Sequence, residues 1–157
     1  MTTDVIQYIG YTLIERQHSI AVAESVTSGQ LQVAFSTAID AAKFYQGGIT
    51  AYNIGQKSRH LGVEPIQALN CNCVSELVAQ EMALGVCNLF SSHWGLAVTG
   101  YASKVPESNN DLFAFYAITY AGKIMLSGKL EPPDGEPSEI QSFYTVKLLE
   151  MLATVLR

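Results

Sequence analysis

The sequence predicts a single α/β domain, residues 1–157, on a mixed β-sheet, and three observations carry that reading. Short apolar runs end in polar, glycine-bearing turns, as in Ile20-Ala21-Val22-Ala23 before Glu24-Ser25 and Trp94-Gly95-Leu96-Ala97-Val98 before Thr99-Gly100. Their length and branched residues suit buried strands. Apolar residues recur at helical spacing before, between and after these runs. Finally, the strand-like segments Leu112 to Tyr120 and Lys123 to Leu130 are separated only by Ala121-Gly122, so they form a hairpin and bring antiparallel pairing into the sheet.

Taken in order, Val5, Ile6, Ile9, Leu13 and Ile14 make Asp4 to Gln17 an amphipathic helix that covers one sheet face. After the Ile20–Ala23 strand, Thr27 and Gln30 are spaced as a capping box for a helix over Gln30–Thr37. Ala38–Phe44 connects to a strand over Tyr45–Tyr52. Its adjacent Gly47 and Gly48 mark either a close approach by backbone or ligand, or a bulge or crowded chain crossing. Asn53 suits the N-cap of a helix that stops at Gly62. Lys57 lies one turn past Asn53, where its amine either reaches back to the carboxyl end of the preceding strand or is simply solvated.

Pro65 to Cys73 carries turn residues, and Ser75 caps a long helix, Glu76 to Phe90, with Val78, Met82, Val86 and Leu89 along one side. The Trp94–Val98 strand runs into Thr99-Gly100-Tyr101, and Lys104 to Asp111 is a polar loop. Glu131 to Pro137 breaks regular structure. Ser138 and Gln141 form a second capping box for a closing helix that carries Ile140, Tyr144, Leu148, Met151, Leu152 and Val155.

Composition narrows the function. Nine basic against fourteen acidic residues give a net charge of −5, the wrong sign for non-specific nucleic-acid binding. No apolar run reaches the roughly 18 residues of a membrane span, and Met1-Thr2-Thr3-Asp4 lacks the basic region of a secretory signal, so the expectation is a cytoplasmic protein. Cys71, Cys73 and Cys87 contain no CxxC pair, and His18, His60 and His93 stand singly, so reduced thiols and no metal are expected.

The turn Ala23-Glu24-Ser25-Val26-Thr27-Ser28-Gly29-Gln30 sits where a strand gives way to a helix. Such a turn gathers free N–H groups and the positive end of a helix dipole, and can hold an anion or a developing oxyanion beside Ser25. The same residue types also serve turns and caps alone.

Several pieces then recur in a familiar order: Ala23-Glu24-Ser25 with Thr27 and Gly29, Gly47-Gly48 before Tyr52 and Lys57, Val74-Ser75-Glu76, and Ala97-Val98-Thr99-Gly100. Together, over nearly the whole chain, they resemble the C-terminal domain of the CinA family, the competence/damage-inducible proteins. Stand-alone members of that family are nicotinamide mononucleotide deamidases. The resemblance implies a three-layer α/β/α fold, a homodimer, no cofactor, and hydrolysis of the carboxamide of a pyridine nucleotide to release ammonia.

By position it implies Ser25 as nucleophile and Lys57 as base, with Thr99 and Gly100 holding the substrate or its oxyanion. Glu24, Thr27, Gly29, Gly48 and Tyr52 would contact or shape the substrate site. A lysine serves as base near neutral pH only when burial or positive neighbours depress its pKa.

The sequence departs from the family at Val26 and Ser28, in Tyr101-Ala102-Ser103-Lys104, at Ile54, and in Pro137 to Gln141, which lacks the family's arginines. Lys104 could compensate. The alternatives are a catalytically silent homologue that binds a nucleotide or a partner protein, and an amidase for another small amide.

Overall fold

The structure, a computed structural model, describes residues 2–157; Met1, the first residue of the expected domain, lies outside them. In chain order the elements are α1 (Thr2–Arg16), β1 (Ile20–Glu24), α2 (Gln30–Ser36), β2 (Tyr45–Thr50), α3 (Ile54–Leu61), α4 (Pro65–Leu69), α5 (Glu76–Phe90), β3 (Trp94–Gly100), β4 (Ala114–Tyr120), β5 (Lys123–Leu130) and α6 (Pro137–Leu156). The sheet runs β2-β1-β3-β4-β5. β1 pairs in parallel with β2 and β3, while β4 lies antiparallel to β3 and β5. The expected mixed sheet in a single three-layer α/β/α domain is therefore present.

Side-chain size alternates along the central strands and makes the two faces unequal. Ile20, Val22, Leu96, Val98 and Ile118 join Ile9, Leu13, Phe35, Tyr144 and Leu148 in a core under α1, α2 and α6. Ala21, Ala23, Ala97 and Ala117 point to the other face, toward Leu61, Val78, Met82 and Val86 of α3 and α5. Small residues let helices approach closely. A methyl group at Gly95 would strike the Ala83 carbonyl of α5, and one at Gly85 would strike the backbone of Leu61. That close seating draws α3 in over the carboxyl ends of β1 and β3.

Local chemistry explains most helix ends. Asn53 accepts the Gln56 N–H at 3.0 Å and Gly62 closes α3 at φ 70°, while Ser75 accepts the Val78 N–H. Four expectations need correction. Thr27 and Gln30 form no capping box: Gly29 at φ 104° precedes α2, and the Glu24 carboxylate accepts the N–H groups of Leu31 and Gln32, both at 2.9 Å. The second box is Glu136 with Glu139, because Pro137 starts the helix two residues earlier than a Ser138 cap would. Part of Pro65–Cys73 is helical, nucleated by the Glu64 carboxylate on the N–H groups of Ile66 and Gln67. The first hairpin strand begins at Ala114 rather than Leu112. At Gly47–Gly48, both bland readings hold. The register slips between Ile20 and Ala21, and a Cβ on Gly48 would meet Val22 and Gln32 at 2.7 Å.

Candidate active site

β1 and β3 end side by side. Ser25 N–H donates to Val98 O at 3.1 Å, which carries the β1–β3 ladder one residue past the Glu24–Val98 pair and sets Ser25 beside Thr99. On α3 the Asn53 cap fixes the first turn, and Lys57, one turn on, points inward with only 2% of its surface exposed. Ser25, Tyr52, Lys57, Thr99 and Gly100 line one hollow of about 340 Å³, together with Asn72, Cys73, Val74 and Tyr101.

The amine of Lys57 is committed in two directions. It donates to Thr99 Oγ1 at 3.0 Å and to the Cys73 carbonyl at 3.3 Å, while Thr99 Oγ1 donates its own proton to that carbonyl at 2.8 Å. A threonine hydroxyl has one proton, so this donation leaves its lone pairs to receive the amine. The bond to Cε and these two contacts fix three of the tetrahedral amine's four directions, and the fourth meets no partner among the described residues. Among the described residues no carboxylate pairs with Lys57, whereas Lys43, Lys104 and Lys147 each hold one. Burial consequently pushes the Lys57 amine below the ordinary 10.5, with the neighbouring Cys73 and Cys71 thiols pulling weakly the other way.

Ser25 is 5% exposed, and its hydroxyl makes no hydrogen bond to any described residue. The N–H groups of Val26 and Thr27, directly after it, likewise meet no acceptor among the described residues. A free hydroxyl, an amine of depressed pKa and unclaimed N–H donors at a strand end have the parts of an acyl-transfer site.

The other expected site residues lie elsewhere. Glu24 is fully buried, its carboxylate taken by α2 and by Thr27 Oγ1 at 2.5 Å, so both side chains hold the turn from beneath. Gly29 lines a separate shallow hollow with Gln30, Val33 and Thr145, and Gly48 lies mid-strand under Gln32. Lys104 pairs with Asp134 at 3.0 Å. Sequence reasoning missed the Cys73 carbonyl. Asn72 and Cys73 both take left-handed backbone, at φ 55° and 63°, to aim it. Asn tolerates that region and Cys carries no signal for it.

A family model described as the CinA C-terminal domain matches residues 2–156. The chain belongs to that family. A CinA-like protein of Picosynechococcus sp. is 37% identical over 113 residues, and one of Prochlorococcus marinus is 38% identical over 111. These matches cover 72% and 70% of this chain but only 27% and 26% of the relatives, so the chain spans about a quarter of their length. Among solved structures, a CinA superfamily protein from Klebsiella pneumoniae superposes with TM-score 0.93 at 24% identity, covering 99% of this chain and 98% of that one. One from Escherichia coli gives TM-score 0.90 at 25% identity, covering 97% and 88%. The CinA domain fold is thereby shown. No helix among the described residues is long and apolar enough to cross a membrane.

Proposed function

We propose that this CinA domain hydrolyses the carboxamide of nicotinamide mononucleotide, giving nicotinate mononucleotide and ammonia. The observation that carries the reading is a buried lysine that has no counterion among the described residues, in the same hollow as a serine hydroxyl that none of them engages. Ser25 Oγ attacks the amide carbon while Lys57 Nζ, in its neutral form, takes the hydroxyl proton. The N–H groups of Val26 and Thr27 receive the developing oxyanion. The C–N bond then breaks, Lys57 returns the proton to the departing nitrogen, and ammonia leaves. Water next attacks the Ser25 ester, with Lys57 again as base, and releases the acid. The reading takes the chain as a cytoplasmic homodimer that needs no metal or organic cofactor.

A second reading, a silent homologue that binds a nucleotide or a partner protein, is favoured by one feature: Lys57 donates to Thr99 and Cys73, with no hydrogen bond to Ser25. Incubating purified protein with nicotinamide mononucleotide and following ammonia separates the two. Turnover lost in Ser25→Ala and in Lys57→Ala supports the hydrolase. A folded wild-type chain that releases no ammonia, beside an active family control, leaves the binding homologue.

A further inference from the structure

We propose that Lys129 is the anion-binding residue of this hollow, and that its ligand is the phosphate at the far end of a small amide substrate. The inference rests on the hydrolase reading for the location of the amide. It comes from the register of the sheet. Thr99 pairs directly with Phe115, and Phe115 directly with Lys129. Directly paired residues project from the same face. Ser25, Thr99, Phe115 and Lys129 therefore form one transverse row across the carboxyl end of β1 and β3, on the face that carries the hollow.

The row has graded chemistry. Ser25 and Thr99 are polar and buried, Phe115 is apolar, and Lys129 is exposed. Tyr101, Phe113 and Phe115 form an edge-to-face ladder with centroids 5.4 and 5.8 Å apart, running out from the hollow's rim. The Lys129 ammonium sits 4.6 Å above Phe113 and 5.9 Å from Phe115. Ring faces orient a cation without neutralising it, so its full charge remains for a ligand. Three inter-strand steps of roughly 4.8 Å place the Ser25 and Lys129 backbones about 14 Å apart. The Lys129 ammonium leans inward over Phe113 and Phe115, which shortens that gap toward the reach of a ring, a sugar and a phosphate.

Among the described residues, Lys57 lines the hollow itself as the proposed base, and the other cations are engaged or placed elsewhere. Lys43, Lys104 and Lys147 are paired with Asp40, Asp134 and Glu150. Lys123 pairs with Tyr120, which faces Trp94 at the opposite end of the sheet. Arg16 bonds the Leu156 carbonyl and Arg157 lies over Tyr8. Arg59 follows the inward Lys57 by two residues, on the far side of α3. The nearby Glu76 carboxylate is engaged by Ser127 Oγ at 2.6 Å.

The test uses the Ser25→Ala chain, so that ligand persists, and titrates it with nicotinamide mononucleotide and with nicotinamide riboside, which lacks the phosphate. The mononucleotide is expected to bind at least roughly 10-fold more tightly, and Lys129→Gln to weaken it by roughly 10-fold, the scale of one hydrogen bond to a charged group. Riboside binding should stay unchanged, and Lys129→Arg should restore the mononucleotide. Equal affinities for the two ligands, no binding, indifference to Lys129→Gln, or equal losses for both ligands would each overturn the proposal. Ammonia release by the otherwise wild-type chain reports on the hydrolase reading separately. Phosphate-selective binding without turnover sinks that reading alone, and turnover indifferent to Lys129 sinks this one alone.

Discussion

The two ends of the parallel strands hold opposite kinds of polar chemistry. At the amino end, Trp94 Nε1 donates to His18 Nδ1 at 3.1 Å, Tyr120 OH meets His18 Nε2 at 3.3 Å, and Ser19 N–H donates to His93 Nδ1 at 2.9 Å. The same rings pack against one another in tilted pairs, with Trp94 and Tyr120 centroids 4.6 Å apart. At the carboxyl end an amine is buried and a hydroxyl lies near it, neither with a counterion or hydrogen-bonded carboxylate among the described residues, and a hollow opens beside both. A closed network of this kind locks the strand starts together. The open one stores unsatisfied chemistry, which is how a functional site differs from a structural one.

The largest expected effect comes from removing the amine. Lys57→Met should lower ammonia release by at least about 100-fold, the usual worth of a general base. The melting temperature should hold or rise, because a buried amine without a counterion disfavours the folded state. A clear fall in melting temperature would make Lys57 a structural residue like His18. Next, Thr99→Val strips one partner from the amine and one donor from the Cys73 carbonyl. It should cost about 1–3 kcal/mol in urea unfolding and reduce turnover, with Thr99→Ser close to wild type.

Gly85→Ala acts at a distance. Its new methyl meets the Leu61 backbone, so α3 must move, at about 1–3 kcal/mol. Turnover should drop with it, whereas an equally destabilising change at the amino end should leave the rate per folded molecule unchanged.

The smallest effect concerns pH. His18 has its pKa lowered from 6.5, first by burial, then by His93 and Arg16. The unfolded chain therefore binds more protons below pH 6.5, so stability should be full above that value and fall as pH drops toward the lowered folded value. Urea midpoints at pH 5 and 7.5 should differ in the wild type and converge in His18→Gln. Turnover should likewise increase with pH, but through a separate group, as Lys57 loses its proton, and that dependence should survive His18→Gln.

What could be read in advance was whatever the chain settles locally. Asn53, Gly62 and Ser75 act within three or four residues of their own helix ends, and the Lys123–Leu130 strand follows from a strand-like run beside a two-residue turn. The capping role of Glu24 was not legible because its carboxylate reaches forward seven and eight residues to Leu31 and Gln32, a distance at which no sequence spacing marks a cap. The site divides in the same way. Ser25, Lys57 and Thr99 were legible as a group through resemblance, but the carbonyl that aims two of them belongs to Cys73, whose side chain has no part in it. Lys129 was invisible for a related reason. Its place beside the hollow depends on two strand pairings that only the folded sheet supplies.

The claim most exposed to measurement is that Lys57 loses its proton more readily than an ordinary lysine. An NMR titration of its amine, assigned by the signal missing from Lys57→Met, should give a midpoint below 10.5 that coincides with the rising limb of ammonia release against pH. A midpoint at or above 10.5, or a rate profile with no trace of that titration, would contradict it.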